Sequence, residues 1–195
     1  HVHTTKKVTE ALRQQEDQIR AEYARIEQIK DADEKAALKV RRKIVDEALT
    51  LRCPRCSAAF AEFDGCFALH CSNNTCRCGF CAWCLKDCGT DAHPHVRHCV
   101  ENASQRGDYD SFFSTTEEFR KHHNKKRVTK VQALLKEADL NKNATEKLRE
   151  LMKKDLEDLK IELVDVFPRD VVATASASQT NFFGMKWPAA GYRKV

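Results

Sequence analysis

All ten cysteines of the chain lie between Cys53 and Cys99, and this confinement limits the possible folds more than any hydrophobic pattern does. Their order is Cys53-x2-Cys56-x9-Cys66-x4-Cys71-x4-Cys76-x-Cys78-x2-Cys81-x2-Cys84-x3-Cys88, followed by His93, His95, His98 and Cys99. Residues 51–102 carry few large aliphatic side chains. A segment this small cannot bury enough apolar surface to offset its chain entropy, so metal is expected to supply much of its stability. Paired C-x2-C turns with further cysteines and a His/Cys tail provide enough soft ligands for two tetrahedral zinc ions.

An even cysteine count also fits disulfides in a secreted protein, and three Asn-x-Ser/Thr triplets at Asn73, Asn102 and Asn143 point the same way. Partners as close as Cys76 and Cys78 join poorly in a disulfide, however, whereas C-x2-C turns suit zinc. The metal reading implies a reducing, intracellular location, cytoplasmic or nuclear. There is no apolar run long enough for a membrane span and no secretory opening, so no membrane partner is expected. The first residue is His rather than Met, which reads as a processed or partial chain.

Outside the cysteine segment the chain is charged, with six glycines and four prolines over its whole length. Residues 1–50 show Val8, Leu12, Ile19, Tyr23 and Ile26 as one amphipathic stripe. Asp31 with Glu34 reads as a capping box opening a second helix, with Ala37, Val40, Ile44 and Ala48 inward, unless the two form one long kinked helix. Such helices could pair with each other, with the C-terminal helices, or with a second copy as a coiled coil. In residues 108–167, Ser114 with Glu117 and Asn143 with Glu146 read as two more helix starts. The second carries Leu148, Met152, Leu156, Leu159 and Leu163 on one face and is expected to end before Pro168. Residues 168–195, rich in Ala, Ser and Thr and then in aromatics, read as a tail without its own fold, or as a docking segment. The expected fold is therefore mainly α, with a small two-zinc module of RING2/IBR-like type inserted between helices.

The net charge of +5 is modest and its signs are interspersed. One cluster, from His122 to Arg127 with Lys130 beyond, reads as a solvated helix face, with nucleic acid or an acidic partner as the lesser alternative.

As a ligand problem, Cys53 and Cys56 with Cys71 and Cys76 can complete one site. Cys81 and Cys84 begin a second, which His93 or His95 can finish with Cys99. Cys66, Cys78 and Cys88 are then left over. We expect His95 and Cys99 in the second site, with Cys78, Cys88, His93 and His98 as the possible replacements.

The run from Cys53 to Cys84, with Gly65 before Cys66, Phe80 before Cys81 and Trp83 inside the last pair, resembles the catalytic RING2 (Rcat) domain of RING-between-RING ubiquitin ligases. The resemblance covers Arg52 to Cys99, about a quarter of the chain. It implies that Cys66 is not a ligand but carries ubiquitin as a thioester, received from a ubiquitin-conjugating enzyme and passed to a lysine of a protein substrate. Many members place a histidine two residues after that cysteine. Here Ala68 stands there and His70 lies two further on, so His70, or a carboxylate such as Asp64 or Glu62, is the expected base. The recruiting RING has no counterpart, since no cysteine precedes Cys53. The competing expectation is a non-catalytic zinc scaffold that binds ubiquitin or a conjugating enzyme.

Overall fold

The computed structural model describes residues 2–102 and 112–167, with side chains from 13 onward apart from 15. It is mainly helical, and its helices flank a compact segment of turns and short strands.

Helix α1, Val2–Glu27, is followed after a four-residue link by α2, Ala32–Ile44. Two helices form rather than one because the Asp31 side chain accepts the amides of Asp33 and Glu34, capping α2 as the sequence suggests. Of the α1 stripe, Ile26 is buried, Ile19 is half-buried and Tyr23 is 44% exposed, while the side chains of Val8 and Leu12 lie outside the described set.

The end of α2 widens into a π-turn over Val45–Leu49. The helix ends there, which leaves the Leu49 carbonyl without an intrahelical partner, and Arg127 Nε donates to it at 3.1 Å. The chain then enters the cysteine segment through buried Leu51, with no linker.

Four short strands, β1 Gly65–Cys66, β2 Ala68–His70, β3 Gly79–Cys81 and β4 Phe113–Ser114, order this segment. β2 pairs antiparallel with β3, matching Leu69 to Phe80, and β1 pairs antiparallel with β4, matching Cys66 to Phe113. Helix α3, His93–His98, closes the segment.

Helix α4, Thr116–Ala138, begins one residue later than the Ser114 start read from the sequence. Thr115 is its N-cap and accepts the Glu118 amide, while Ser114 Oγ donates to the Glu118 carboxylate. The same Ser/Thr-x-x-Glu pattern fits both registers, and the β1–β4 pairing holds Ser114 in extended backbone. Helix α5, Lys142–Asp158, begins two residues earlier than expected, capped by Asn141 on the Ala144 amide. It also ends sooner: Lys160 adopts φ +55, the chain reverses, and Leu163 belongs to a separate turn, α6, Leu163–Val166.

The helical core joins Ala37 and Ile44 of α2, Leu148, Met152 and Leu156 of α5, and Val131 and Leu134 of α4. Arg41 grips Asp155 through two hydrogen bonds of 2.7 and 2.8 Å between α2 and α5. A second core lies under the cysteine segment, built on Phe67, Trp83, Val96 and Phe119 of α4. Helix α4 thus belongs to both cores. The basic cluster on it is only in part the solvated face expected from the sequence: Lys125, Lys126 and Lys130 are exposed, but two members turn inward. His123 is buried and bonds the Ala82 carbonyl at 2.7 Å, and Arg127 is buried against Leu49, Glu62 and Asn124. The Lys126 ammonium meets Glu101, and that of Lys130 meets the Glu47 carbonyl. The tail, 168–195, and its aromatic cluster lie outside the described residues.

Candidate functional site

The cysteine segment gathers two quartets. Cys53, Cys56, Cys71 and Cys76 bring their sulfurs together, and Cys81, Cys84, His95 and Cys99 do the same with three sulfurs and an imidazole nitrogen; within each group the ligand atoms lie within 4.8 Å of one another. Sulfur separations of 3.9 Å for Cys53 and Cys76 and 3.5 Å for Cys56 and Cys71 match the edge of a tetrahedron, about 3.8 Å for metal–thiolate bonds of about 2.3 Å. His95 Nε2 stands 3.1 Å from Cys84 Sγ in the second quartet. None of the ten thiols is paired in a disulfide. The donor chemistry and the spacing therefore fit two metal ions. Asn102, moreover, is buried, with its side-chain amide donating to the Val96 carbonyl at 3.0 Å.

Each quartet is built from tight turns whose amides serve the sulfurs. Burial alone would raise the Cys53 thiol, but the amides of Cys56 and Arg55 and the adjoining thiols outweigh it and bring it down to about 7. Its partner Cys71 goes the other way: burial pushes it up to about 12. One thiol of the group thus takes up negative charge far more readily than its neighbour.

Three thiols stand outside both quartets. Cys78 is buried and burial pushes it up to about 12; Cys88 donates to the Lys86 carbonyl at 3.3 Å and is raised by burial. Cys66 differs from both. It sits half-buried on β1, and its sulfur is 3.6 Å from Nε2 of His93. The other ring nitrogen of His93 is 2.6 Å from Asp91 Oδ1, which also accepts the His93 amide at 3.0 Å. The Asp91 carboxyl is held below the ordinary carboxylate range by that amide first and by the ring second.

The groups read from the sequence as bases for Cys66 are engaged elsewhere. His70 Nε2 meets the Thr90 carbonyl at 2.8 Å. Asp64 accepts the Thr116 amide at the start of α4, and Glu62 receives Arg120 at 2.8 Å and Arg127 at 3.3 Å. His93, counted from the sequence only as a possible ligand, is the imidazole beside Cys66.

The surroundings hold this arrangement in place. Gly65, at φ +128, turns the chain just before Cys66 with open space where a side chain would stand. Arg55 clamps Asp87 through bonds of 2.8 and 2.7 Å, anchoring the loop that leads to Asp91. The Phe112 ring packs edge-on against His93 at 5.4 Å, and Trp83 stacks on Phe67 at 4.4 Å beneath the strands.

No family model, curated protein or solved structure matches this chain. No helix among the described residues is long and apolar enough to cross a membrane.

Proposed function

We propose that residues 51–102 form a two-zinc module of the RING2 kind, in which Cys66 accepts ubiquitin as a thioester from a conjugating enzyme and passes it to a substrate lysine. Zinc suits the two sites because it takes four thiolate or imidazole ligands tetrahedrally and brings no redox chemistry to the thiols around it. The observation that carries the proposal is Cys66 itself. It is a half-buried thiol outside both metal quartets, with an imidazole at hydrogen-bond distance, whereas the other two surplus thiols are held protonated by burial. A thiolate is the nucleophile of a transthiolation, so a cysteine kept away from metal and near a proton acceptor is the one fitted to the task.

The test charges a conjugating enzyme with ubiquitin, adds the full chain with a recruiting RING supplied in trans, and looks for a ubiquitin adduct. The wild type should give an adduct that reductant removes, Cys66→Ala should give none, and Cys66→Ser should give an oxygen ester that survives reductant. Both Cys66 variants should keep two zinc ions, while Cys71→Ala should lose one, since three ligands remain in its quartet. A wild type that forms no adduct, or a Cys66→Ala protein that loses a metal, would replace this reading with that of a zinc scaffold.

A further inference from the structure

His93 and His95 stand two residues apart at the start of α3, and the helix sends them to different tasks. At about 100° per residue they leave the axis roughly 200° apart. His95 reaches Cys84 at 3.1 Å, and His93 reaches Cys66 at 3.6 Å. We infer that His93 is the catalytic partner of Cys66, taking the thiol proton on Nε2, and that Asp91 is a positioning residue that fixes the ring. The inference rests on the reading of Cys66 as a nucleophile, and it adds two residues from a loop and helix start that this reading does not require.

The geometry supplies the roles. One oxygen of Asp91 accepts both the His93 amide and the ring Nδ1–H, so the carboxylate sets the ring's orientation and its tautomer together. With the proton on Nδ1, the lone pair of Nε2 faces the Cys66 S–H. A nucleophile, a base within reach and a third group orienting that base make up the activated-nucleophile arrangement. The Phe112 ring against His93 is placed by its own carbonyl, which accepts the Phe67 amide at 2.7 Å. The His93 side chain remains 49% exposed, which leaves an approach for an incoming thioester.

In the first step the Cys66 sulfur bonds to the thioester carbonyl carbon and its proton passes to Nε2. The bond to the donor's sulfur breaks, and the departing thiolate takes that proton. In the second, a lysine amine bonds to the same carbon, the bond to Cys66 breaks, and the amine's proton travels through Nε2 to the released sulfur. His93 ends each step neutral, and nothing is oxidised or reduced.

Alkylation by iodoacetamide tests the pair without ubiquitin, with Cys66 and Cys88 resolved by peptide mass spectrometry at one fixed pH. General-base assistance is worth ~10²–10⁴-fold, so His93→Gln and His93→Ala should slow Cys66 alkylation by at least about tenfold while Cys88 is unaffected. Asp91→Asn should give a smaller loss, His70→Ala none, and added imidazole should restore part of the rate in His93→Ala. Metal content is measured alongside. Should His93→Ala lose the ion at the neighbouring His95, Asp91→Asn decides, since it leaves every ligand in place. Two-metal His93 variants that alkylate at the wild-type rate overturn the inference, as does an Asp91→Asn protein with unchanged Cys66 reactivity. The outcomes also separate the two claims. Ubiquitin transfer that proceeds at full rate in His93→Gln removes His93 and leaves the acceptor role of Cys66. A wild type that never takes ubiquitin but whose Cys66 reactivity depends on His93 keeps the pair and removes the ligase reading.

Discussion

Gly79 shows how closely the neighbourhood of Cys66 is packed. A β-carbon there would come within 2.8 Å of the Thr90 carbonyl carbon and 3.0 Å of the Asp91 amide nitrogen, and both are backbone atoms that cannot swing aside. The strand bearing Gly79 also exchanges bonds with Gly89 and Cys88, both at 2.8 Å, so the loop that delivers Asp91 and His93 lies directly over it. Gly79→Ala is therefore expected to push the loop outward and lower Cys66 alkylation by about the same tenfold as loss of the base, while Gly65→Ala acts through backbone strain alone. Overpacking of this kind costs ~1–3 kcal/mol, so the thermal midpoint should fall as well. A Gly79→Ala protein of wild-type stability and reactivity would show that the loop does not hold the base. At this scale six of the eight clustered positions, Cys53, Cys56, Cys71, Cys76, Cys81 and Cys84, were legible in the sequence because spacing within tight turns limits which sulfurs can meet, whereas His95 and Cys99 were one choice among several. The placement of His93 was not legible, since spacing counts donors without saying from which side of a helix each projects. The available signal was Asp91 two residues before His93 and His95 two after it.

At the scale of elements, α4 carries the main surprise. Phe119, His123 and Arg127 recur every four residues along one face, and that face is buried against the cysteine segment; Val131 and Leu134 continue into the helical core. The run of charge from His122 to Arg127 hid this periodicity, because the apolar partner is the cysteine segment, far away in sequence. The helix starts at Ser114 and Asn143 were displaced by one and two residues for a different reason: several capping residues stand side by side, and the surrounding packing chooses among them. The helical faces of α2 and α5, by contrast, were legible, because their partners are each other. The buried position of His123 leads to a pH dependence. Burial is the first cause that lowers its pKa, from 6.5 to about 4. The folded protein therefore binds fewer protons than the unfolded chain between those values. Stability is full above about pH 6.5 and is lost as pH falls toward about 4, by on the order of 3 kcal/mol at most. His123→Gln can still donate to the Ala82 carbonyl but does not titrate. Its stability is expected to fall less steeply across this window in urea melts with zinc in excess, and the metal ligands, common to both proteins, cancel in the difference. Equal slopes for wild type and variant would remove His123 as the cause.

The described residues join two kinds of core through one helix and a partly buried ion network. Helices of 26, 13, 23 and 17 residues lie outside the cysteine segment, whereas α3 inside it has 6. The helical core closes on Ala37, Ile44, Leu148, Met152 and Leu156 without any residue of either Cys/His quartet. The cysteine segment is expected to depend instead on metal in the two quartets: structural zinc binding is worth roughly 10–16 kcal/mol per site, as much as the whole stability of an ordinary domain. Removing the metal should therefore unfold one part and leave the other. With a strong chelator, Cys78, 0% exposed in the folded protein, should become open to alkylation along with the quartet thiols, and the near-ultraviolet signal of Trp83 should collapse. Far-ultraviolet helicity should fall only modestly, through α3 and the first turns of α4, where Phe119 and His123 lose their surface. The joint should weaken too, since Glu62, which receives both Arg120 and Arg127, sits in the segment that comes apart. A later, metal-independent thermal transition should then report the remaining helices. If chelation instead abolishes all helicity in a single step, the two cores form one cooperative unit through α4. If it leaves Cys78 protected, the quartets do not hold the segment together.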